Sequence, residues 1–419
     1  MRKILLGTTA VAGAALFAVS TAQAQQAPTV RVGGYLQTTV SIIDDDLDAA
    51  RGAPTGVAAA GTAGRSSTDF RNEVEIHVFV TGKAANGLSY GAVVEIQNDG
   101  TGGGSGSALD LDEAYVFVSS PTLGTIRFGE EDSAASIMQV RAPTITGFGA
   151  DGAWDVVTLG TANGTGGNPS ILTGINDGSD ATKIIYLSPQ FAGFDFGLSY
   201  APNAGEGDRA FNGRAVDTIS VAGGTLAINP TQRDATGLEN ELSAALRYRG
   251  TFGGVGIAAG FGYMQADAPA NTAAGAVIAP ATRLQDIAAY TVGLNLSAFG
   301  LTVGGEYTWG KWSGASVGRA GLNQGRDDSS LYVLGATYTA GAFSVGAFYG
   351  AGEQDNGGAN ADRQQTSWGI GAAYTVAPGL EVFASYNVIE DKNVNITVGN
   401  AVLRNRDLSA FFMGTRLAF

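Results

Sequence analysis

Long stretches of the chain alternate between apolar and polar residues with a period of two. In residues 68–82 the apolar side chains fall on one parity and the charged side chains on the other. Successive side chains of a β-strand point to opposite faces, whereas a helix would repeat every 3.6 residues. The pattern therefore predicts a strand with one apolar and one charged face. The apolar set is Phe70, Val74, Ile76, Val78 and Val80, and the polar set is Asp69, Arg71, Glu73, Glu75 and His77.

The same alternation recurs along the whole chain, clearly so in residues 29–42, 239–249 and 367–376. Helix-start residues rarely precede an apolar run with helical spacing, so few helices are expected. The pattern predicts about sixteen strands. They are centred near Leu36, Ile76, Val94, Val116, Ile126, Ile185, Leu198, Leu246, Ile257, Val292, Val303, Leu334, Val345, Ile370, Val382 and Met413.

The connections between these strands alternate between short and long. The short ones are rich in Gly, Pro and Asn and are typical of tight turns. Each pair of strands then forms a hairpin, with short turns at one end of the sheet and long loops at the other, which is the layout of an outer-membrane barrel. The long connections are residues 44–67, 98–108, 130–180, 201–237, 266–283, 311–328, 351–364 and 389–405.

A sheet that spans lipid must close on itself, because each unpaired backbone N–H or C=O group in hydrocarbon costs several kcal/mol. An even number of strands also returns both chain ends to one side of the membrane. A long all-β protein in water would share the strand pattern, with its charged face toward solvent and its apolar face in a core. The alternating connections and the aromatic residues favour the all-β transmembrane barrel of sixteen antiparallel strands.

Aromatic residues recur near the predicted strand ends on the apolar parity, where Tyr and Trp of membrane barrels form belts at the lipid–water interface. These residues are Tyr200, Tyr248, Tyr263, Tyr307, Trp309, Tyr349, Trp368 and Tyr386. The chain ends on Phe419, which shares its parity with Met413 and Leu417. We expect the last strand to pair with the first and to place Phe419 at the periplasmic lipid interface.

The N-terminal segment has the features of a secretory signal peptide. Two basic residues precede an apolar stretch, and Ala22–Ala24 forms an A-x-A cleavage site. Residues 1–24 are therefore expected to be removed, with Gln25 as the first mature residue and residues 25–419 as the barrel domain. An uncleaved N-terminal membrane anchor is the alternative. After Ala24 no stretch reaches the ~20 apolar residues that a membrane helix needs.

Charge and composition exclude several functions. The formal net charge is −14, and residues 25–419 hold 22 basic and 38 acidic residues, a net charge of −16. An acidic chain without a basic stripe repels phosphates, which argues against nucleic-acid binding. The absence of Cys excludes disulfides, thiolate metal sites and Cys nucleophiles.

Four motifs suggest other chemistry, but each has a simpler interpretation. The Gly-rich residues 98–107 lack the GK[ST] ending of a phosphate-binding loop, and the single histidine, His77, cannot supply a triad or a His-ligated zinc pair on its own. Glu73 and Glu75 resemble a glycosidase pair only by proximity on a repetitive strand face. The acidic residues 44–48 lack EF-hand spacing, so calcium stays an open ligand there and at the acidic part of 130–180. The chain is not expected to be an enzyme.

The signal peptide, the sixteen amphipathic strands and the terminal GTRLAF together resemble the Gram-negative general porins, in particular those of alphaproteobacteria. The resemblance covers nearly the whole mature chain and rests on architecture and the terminal Phe. It implies a homotrimer of water-filled barrels in the outer membrane, each narrowed by an inward-folded third loop. It also implies contact with lipid and lipopolysaccharide, and recognition of Phe419 by the barrel-assembly machinery.

The resemblance assigns residues 130–180 to the constriction loop. In this family acidic residues of the loop face basic residues of the barrel wall. The acidic candidates are Glu130, Glu131, Asp132, Asp151 and Asp155, and the basic candidates on the inward parity are Arg31, Arg71, Arg127, Lys183, Arg247 and Arg249. The wall is not purely basic, because the inward parity also holds Asp69, Glu73, Glu75, Glu95, Glu113, Glu239 and Glu241.

These features predict passive diffusion of small hydrophilic solutes and ions through the lumen. Charged side chains are expected to face the lumen, since an Arg at the lipid midplane costs roughly 2–4 kcal/mol. The excess of inward carboxylates predicts modest cation selectivity. A solute-specific channel, a plugged structural or adhesive barrel, and a secreted soluble β-protein are the alternatives.

Overall fold

The computed structural model describes residues 27–46, 66–98, 110–145, 175, 180–203, 217–221, 224–228, 238–268, 279, 283–312, 325–355, 361–394, 396–398 and 401–419. These residues form twenty strands and a short helix. The barrel strands are β1 (Thr29–Asp45), β2 (Thr68–Lys83), β3 (Ser89–Asn98), β4 (Asp110–Ser120), β5 (Gly124–Glu130), β6 (Thr182–Leu187), β7 (Phe194–Asn203), β10 (Glu239–Phe252), β11 (Val255–Asp267), β12 (Ile287–Ala298), β13 (Leu301–Lys311), β14 (Ser329–Ala340), β15 (Phe343–Gln354), β16 (Arg363–Ala377), β17 (Leu380–Lys392) and β20 (Arg406–Ala418). The remaining elements are β8 (Asp217–Val221), β9 (Gly224–Ile228), β18 (Ile396–Val398), β19 (Ala401–Leu403) and α1 (Ala134–Ile137).

Sixteen strands form one closed antiparallel barrel in which sequence neighbours are also spatial neighbours. Each of the sixteen predicted strand centres falls within one of these strands, so the predicted fold is confirmed. The hairpins β8–β9 and β18–β19 and the helix α1 were not predicted. All three lie in long connections, where short polar segments carry little periodicity. No helix in the described part of the chain has the length and apolar character needed to cross a membrane.

The register keeps the two faces of the barrel separate. Between β1 and β2, Leu36 lies opposite Val74, and the neighbouring Gln37 lies opposite Glu73. A shift by one residue would exchange all outward and inward side chains of a strand, so this matching fixes the pairing. The outward face carries exposed apolar side chains on every side of the barrel, among them Val32, Leu36, Phe128, Leu198, Leu246, Leu334, Ile370 and Met413. Exposed apolar area of this extent is stable in hydrocarbon and not in water.

The last strand closes the barrel on the first, as predicted. Leu36 lies opposite Leu417, and Val40 lies opposite Met413. Phe419 continues this pairing beyond the end of β20, because its backbone N–H and C=O each form a 3.1 Å hydrogen bond with Gly34. The Phe419 side chain is 61% exposed, in agreement with its outward parity.

The connections confirm the predicted asymmetry. Those between β2 and β3, β4 and β5, β6 and β7, β10 and β11, β12 and β13, β14 and β15, and β16 and β17 are tight turns. The intervening connections are long, and β1 begins and β20 ends on the side of the tight turns. Several predicted belt residues are exposed on the outward face, and Trp309 stacks on both Tyr290 and Tyr307 with ring centroids 5.5 and 5.1 Å apart.

Part of the barrel interior is apolar, next to buried polar side chains such as Glu306, Asn387 and Asp391. The inward faces of β11, β12, β14–β17 and β20 carry apolar side chains that are almost fully buried, which the expectation of charged side chains facing the lumen did not include. They pack into one cluster with Ala135, Ala142, Ile145 and Ile175 of the connection between β5 and β6. The wall members of the cluster include Met264, Leu331, Val333, Phe348, Phe383, Ile389, Leu408 and Phe412. The inward-folded connection covers this apolar side and leaves the polar side on β1–β6.

Candidate functional site: the barrel lumen

The connection after β5 turns into the barrel and begins with the short helix α1. Ser133 caps this helix, since its side chain accepts a hydrogen bond from the Ser136 N–H. The backbone N–H of Ala134 donates to Ser199 Oγ of β7 at 3.0 Å, and the N–H of Ala135 donates to Ser243 Oγ of β10 at 2.8 Å. Wall serines therefore satisfy backbone donors at the helix start, which have no partner within the helix.

Polar side chains of β12 and β13 hold the next part of the connection against the wall. The Glu306 carboxylate accepts a 2.7 Å hydrogen bond from Gln139 Nε2 and a 3.4 Å hydrogen bond from the Ala142 N–H. Asn295 Nδ2 donates to the Arg141 carbonyl at 2.8 Å. Because a buried carboxylate without partners is costly, these bonds tie the segment firmly to Glu306.

A row of inward-facing glycines lets residues 131–145, here called the inner segment, lie directly on the wall. A Cβ added at Gly293 would stand 1.8 Å from the Val140 carbonyl oxygen, and one at Gly335 would stand 2.2 Å from the Pro143 carbonyl oxygen. Neither distance is tolerable for a side chain. The other glycines under the segment are Gly197, Gly260, Gly262, Gly346 and Gly371.

Two of the predicted acidic loop residues lie at the start of the inner segment. Glu131 is buried, and its carboxylate forms a 2.5 Å ion pair with Arg127 of β5. Lys183 of β6 is also buried and donates to the Glu131 carbonyl oxygen. Burial raises the pKa of the Glu131 carboxyl, and the nearby Arg127 partly opposes that rise. Asp132 accepts a 2.9 Å hydrogen bond from Ser136 Oγ.

The other predicted acidic residues lie elsewhere. Glu130 is the last residue of β5, and its register with Ala114 and Thr182 puts it on the outward parity. The sequence assigned it to the loop because the strand was expected to end earlier. Asp151 and Asp155 lie outside the described residues.

The predicted basic residues do not form one wall opposite the acidic loop. Arg247 and Arg249 both bind Asp195 of β7, at 2.7 and 2.9 Å, near the tight-turn end of the barrel. Arg31 lies 4.0 Å from the centre of the Phe79 ring, and Arg71 lies 3.6 Å from the Glu73 carboxylate. Arg127 and Lys183 contact Glu131 of the inner segment, whereas the other four cations have partners on the wall, because parity fixes the face of a side chain but not its neighbours.

Sequence reasoning missed the connectivity of the carboxylates on β2, β3 and β4. His77 bridges two of them, with Nε2 2.5 Å from Glu75 Oε1 and Nδ1 3.2 Å from Glu95 Oε2. Next to this group, Tyr35 donates a 2.6 Å hydrogen bond to Glu73. The placement of His77 opposite Glu95 follows from the pairing of β2 with β3, which a single-strand pattern does not contain.

Acidic side chains thus continue around the polar side of the lumen. Glu113 of β4 lies close to Glu131, and the fields of Glu95 and Asp180 reach it. In the acidic residues 44–48, where calcium was left open as a ligand, Asp45 pairs with Arg406 and Asp46 accepts a hydrogen bond from the Asp407 N–H. Asp48 lies outside the described residues.

A closed antiparallel barrel with an apolar outer face, a polar side to its lumen and an inward-folded connection defines a transmembrane β-barrel channel. The sequence model of the Gram-negative porins matches residues 7–394. The chain therefore belongs to the Gram-negative porin family. The family and the fold together make it an outer-membrane channel for solute diffusion and not an enzyme.

Solved structures share the fold at low sequence identity. The anion-selective porin from Comamonas acidovorans is 15% identical, with a TM-score of 0.57 and coverage of 94% of this chain and 100% of that one. OmpT, an outer membrane protein of Vibrio cholerae, is 15% identical in its trimer form, with a TM-score of 0.56 and coverage of 94% and 100%. No curated protein sequence matches the chain.

Proposed function

We propose that the channel passes small hydrophilic solutes and ions passively and prefers cations. The observation that carries this proposal is the acidic excess on the polar side of the lumen. Three neighbouring strands each present a glutamate to this side: Glu75, Glu95 and Glu113. The His77 ring contacts Glu75 and Glu95. Negative side chains around a narrow aqueous path attract cations and repel anions.

The narrow part of this path lies between the inner segment and the polar wall of β1–β6. The segment is fixed to the opposite wall by Glu306, Asn295 and the glycine row, so its position is set by packing rather than by charge across the lumen. The predicted loop residues Asp151 and Asp155 add two carboxylates to 130–180, which increases the acidic excess.

Conductance in planar bilayers tests the proposal. The purified mature chain should give step-like openings, and a KCl gradient should give a zero-current potential that favours potassium. A potential that favours chloride would refute cation preference. Saturation of the conductance by one sugar or organic acid would favour the solute-specific channel instead.

One observation favours a second candidate, the plugged structural barrel. The apolar cluster fills part of the interior and includes Phe348, Phe383 and Phe412, so the open cross-section is smaller than that of an empty sixteen-stranded barrel. Absence of any conductance from protein that shows a heat-modifiable gel shift would support this candidate.

The remaining assignments concern assembly. A homotrimer is supported by the family and by the trimer form described for OmpT of Vibrio cholerae. The signal sequence of residues 1–24 supports export and cleavage before Gln25, and N-terminal sequencing of protein from outer membranes tests it. Lipopolysaccharide and the assembly machinery are the further partners, the latter through Phe419. Cross-linking in native membranes tests the trimer.

A further inference from the structure

The histidine and two carboxylates on the wall of β2 and β3 form a compact group of ligand atoms. One atom each from Glu75, His77 and Glu95 lies within 4.8 Å of the other two. In the described part of the chain, this is the group of His, Asp and Glu side chains whose ligand atoms lie close enough together to share one metal ion. We propose that Glu75, His77 and Glu95 bind a divalent transition-metal ion, with Zn²⁺ as the ion to test, and that the bound ion lowers conduction.

The ligand types determine the class of ion. An imidazole nitrogen with carboxylate oxygens suits zinc and its neighbours in the first transition row, whereas calcium prefers six to eight oxygen ligands. Three protein ligands leave a fourth, tetrahedral position for water or chloride from the lumen. Calcium would use the two carboxylates without needing the imidazole, which separates the two ions experimentally.

The present contacts already orient the ring for this role. Glu95 Oε2 lies 3.2 Å from Nδ1, which is close to the spacing of two ligands on one zinc ion, while Glu75 Oε1 lies 2.5 Å from Nε2. A carboxylate on the second ring nitrogen of a metal-bound histidine fixes the ring and makes it a stronger ligand. Glu75 holds the ring in this way before the ion arrives and rotates onto the ion as the third ligand when it binds. The ring also stacks on Phe79, with centroids 5.6 Å apart.

The surroundings favour a cation and give access from the lumen. The His77 and Glu75 side chains are 22% and 21% exposed, so an ion can reach them without unfolding of the wall. Glu73 lies on the same face of β2, and Glu113 of the neighbouring strand β4 lies within the field of Glu95. Ion binding would neutralise two charges that we assign to cation preference and would narrow the aqueous path. This inference goes beyond the proposed channel function and needs only that the group faces the lumen.

Two measurements on the full mature chain test the site. Equilibrium dialysis of folded, detergent-solubilised protein against ZnCl₂ should give one tight site per chain at neutral pH. His77→Gln should weaken it at least tenfold, and Glu95→Gln should weaken it similarly. Asp69→Asn is the matched control, because it removes a carboxylate from the same face of β2 outside the group, and it should bind zinc like the parent. A heat-modifiable gel shift confirms that each variant is folded.

Bilayer recordings supply the second readout. Micromolar ZnCl₂ should lower the conductance of the parent and of Asp69→Asn, and chelation should restore it, whereas His77→Gln should not respond. Equal responses of the parent and His77→Gln, tighter binding of CaCl₂ than of ZnCl₂, or absence of a one-to-one site would each overturn the proposal. The conductance before zinc is added tests the channel function separately. Failure of the zinc-site proposal and failure of the proposed channel function can therefore be told apart.

Discussion

Asp45 and Arg406 form a buried, two-point ion pair across the seam where the first and last strands meet. Arg406 Nε lies 2.9 Å from Asp45 Oδ1, and Nη2 lies 2.6 Å from Oδ2. Two strands further on, Arg363 forms a similar pair with Asp391, which lies opposite Arg406 in the register. The four alternating charges connect β16, β17, β20 and β1 at the long-loop end of the barrel.

The seam pair predicts a large stability loss when one charge is removed. Asp45→Asn keeps the shape of the side chain but removes the charge that Arg406 contacts at two points, and breaking such a buried pair costs about 3–5 kcal/mol. We expect the midpoint of the heat-modifiable gel shift, or of urea unfolding in detergent, to fall clearly. The matched control is Asp286→Asn. The ion pair of Asp286 with Arg283 is exposed and 3.9 Å long, so its loss should cost under about 1 kcal/mol. Equal effects of the two changes would contradict the role assigned to the seam pair.

The glycine row predicts that a single methyl group will displace the inner segment. In Gly293→Ala the new Cβ would stand 1.8 Å from the Val140 carbonyl oxygen, so the segment must move toward the lumen. We expect a lower single-channel conductance with little change in outer-membrane insertion. Gly350→Ala is the control, since the nearest atom to its Cβ would be 3.3 Å away and the inner segment is not among its closest contacts. An unchanged conductance in Gly293→Ala would show that the segment does not limit the path.

The acidic wall predicts how selectivity changes with charge. A unit charge about 8 Å from an ion in water contributes about 0.5 kcal/mol, or roughly a twofold change in ion preference. Glu75→Gln with Glu95→Gln should therefore lower the potassium-to-chloride permeability ratio severalfold, as measured by the zero-current potential in a KCl gradient. Glu353→Gln removes a carboxylate on the outward parity of β15 and should leave the ratio nearly unchanged. A selectivity that both variants lower equally would argue against the acidic wall.

Glu131 predicts a pH dependence of that selectivity. Burial is the main cause of its raised pKa. As the pH falls, the Glu131 carboxylate is therefore protonated at a higher pH than an ordinary carboxylate. A raised folded-state pKa also means that charging this group as the pH rises costs stability rather than adding it. Cation preference should therefore begin to fall at a higher pH in the parent than in Glu131→Gln. Zero-current potentials recorded between pH 4 and pH 8 check this, and identical curves would contradict it.

The terminal Phe predicts a difference between folding and assembly. Phe419→Ala keeps both backbone hydrogen bonds to Gly34, so the stability of the purified protein should change little. Fewer folded barrels should reach the outer membrane in cells if the side chain is the assembly signal. Leu417→Ala removes an apolar side chain from the same outward face and serves as the control. Equal cellular yields of the two variants would contradict the proposed role of Phe419 as the assembly signal.

The local pattern was sufficient for the barrel. Alternation in single strands located all sixteen, and the lengths of the connections gave the arrangement of turns and loops. A lipid-facing strand must have one apolar face along its whole length, so the alternation of apolar and polar residues is present in each strand by itself. The loop hairpins and α1 face no such demand and were missed.

The site depended on contacts between distant segments. The sequence placed His77 on the inward face, but only the pairing of β2 with β3 brought it to Glu95, and only the observed end of β5 placed Glu130 in the strand instead of the loop. The sequence by itself determined which side of each strand meets lipid, because that choice is local. The tertiary structure decided which inward charges pair and which wall the inner segment covers, because side-chain neighbours across strands depend on register and closure, which no single segment specifies.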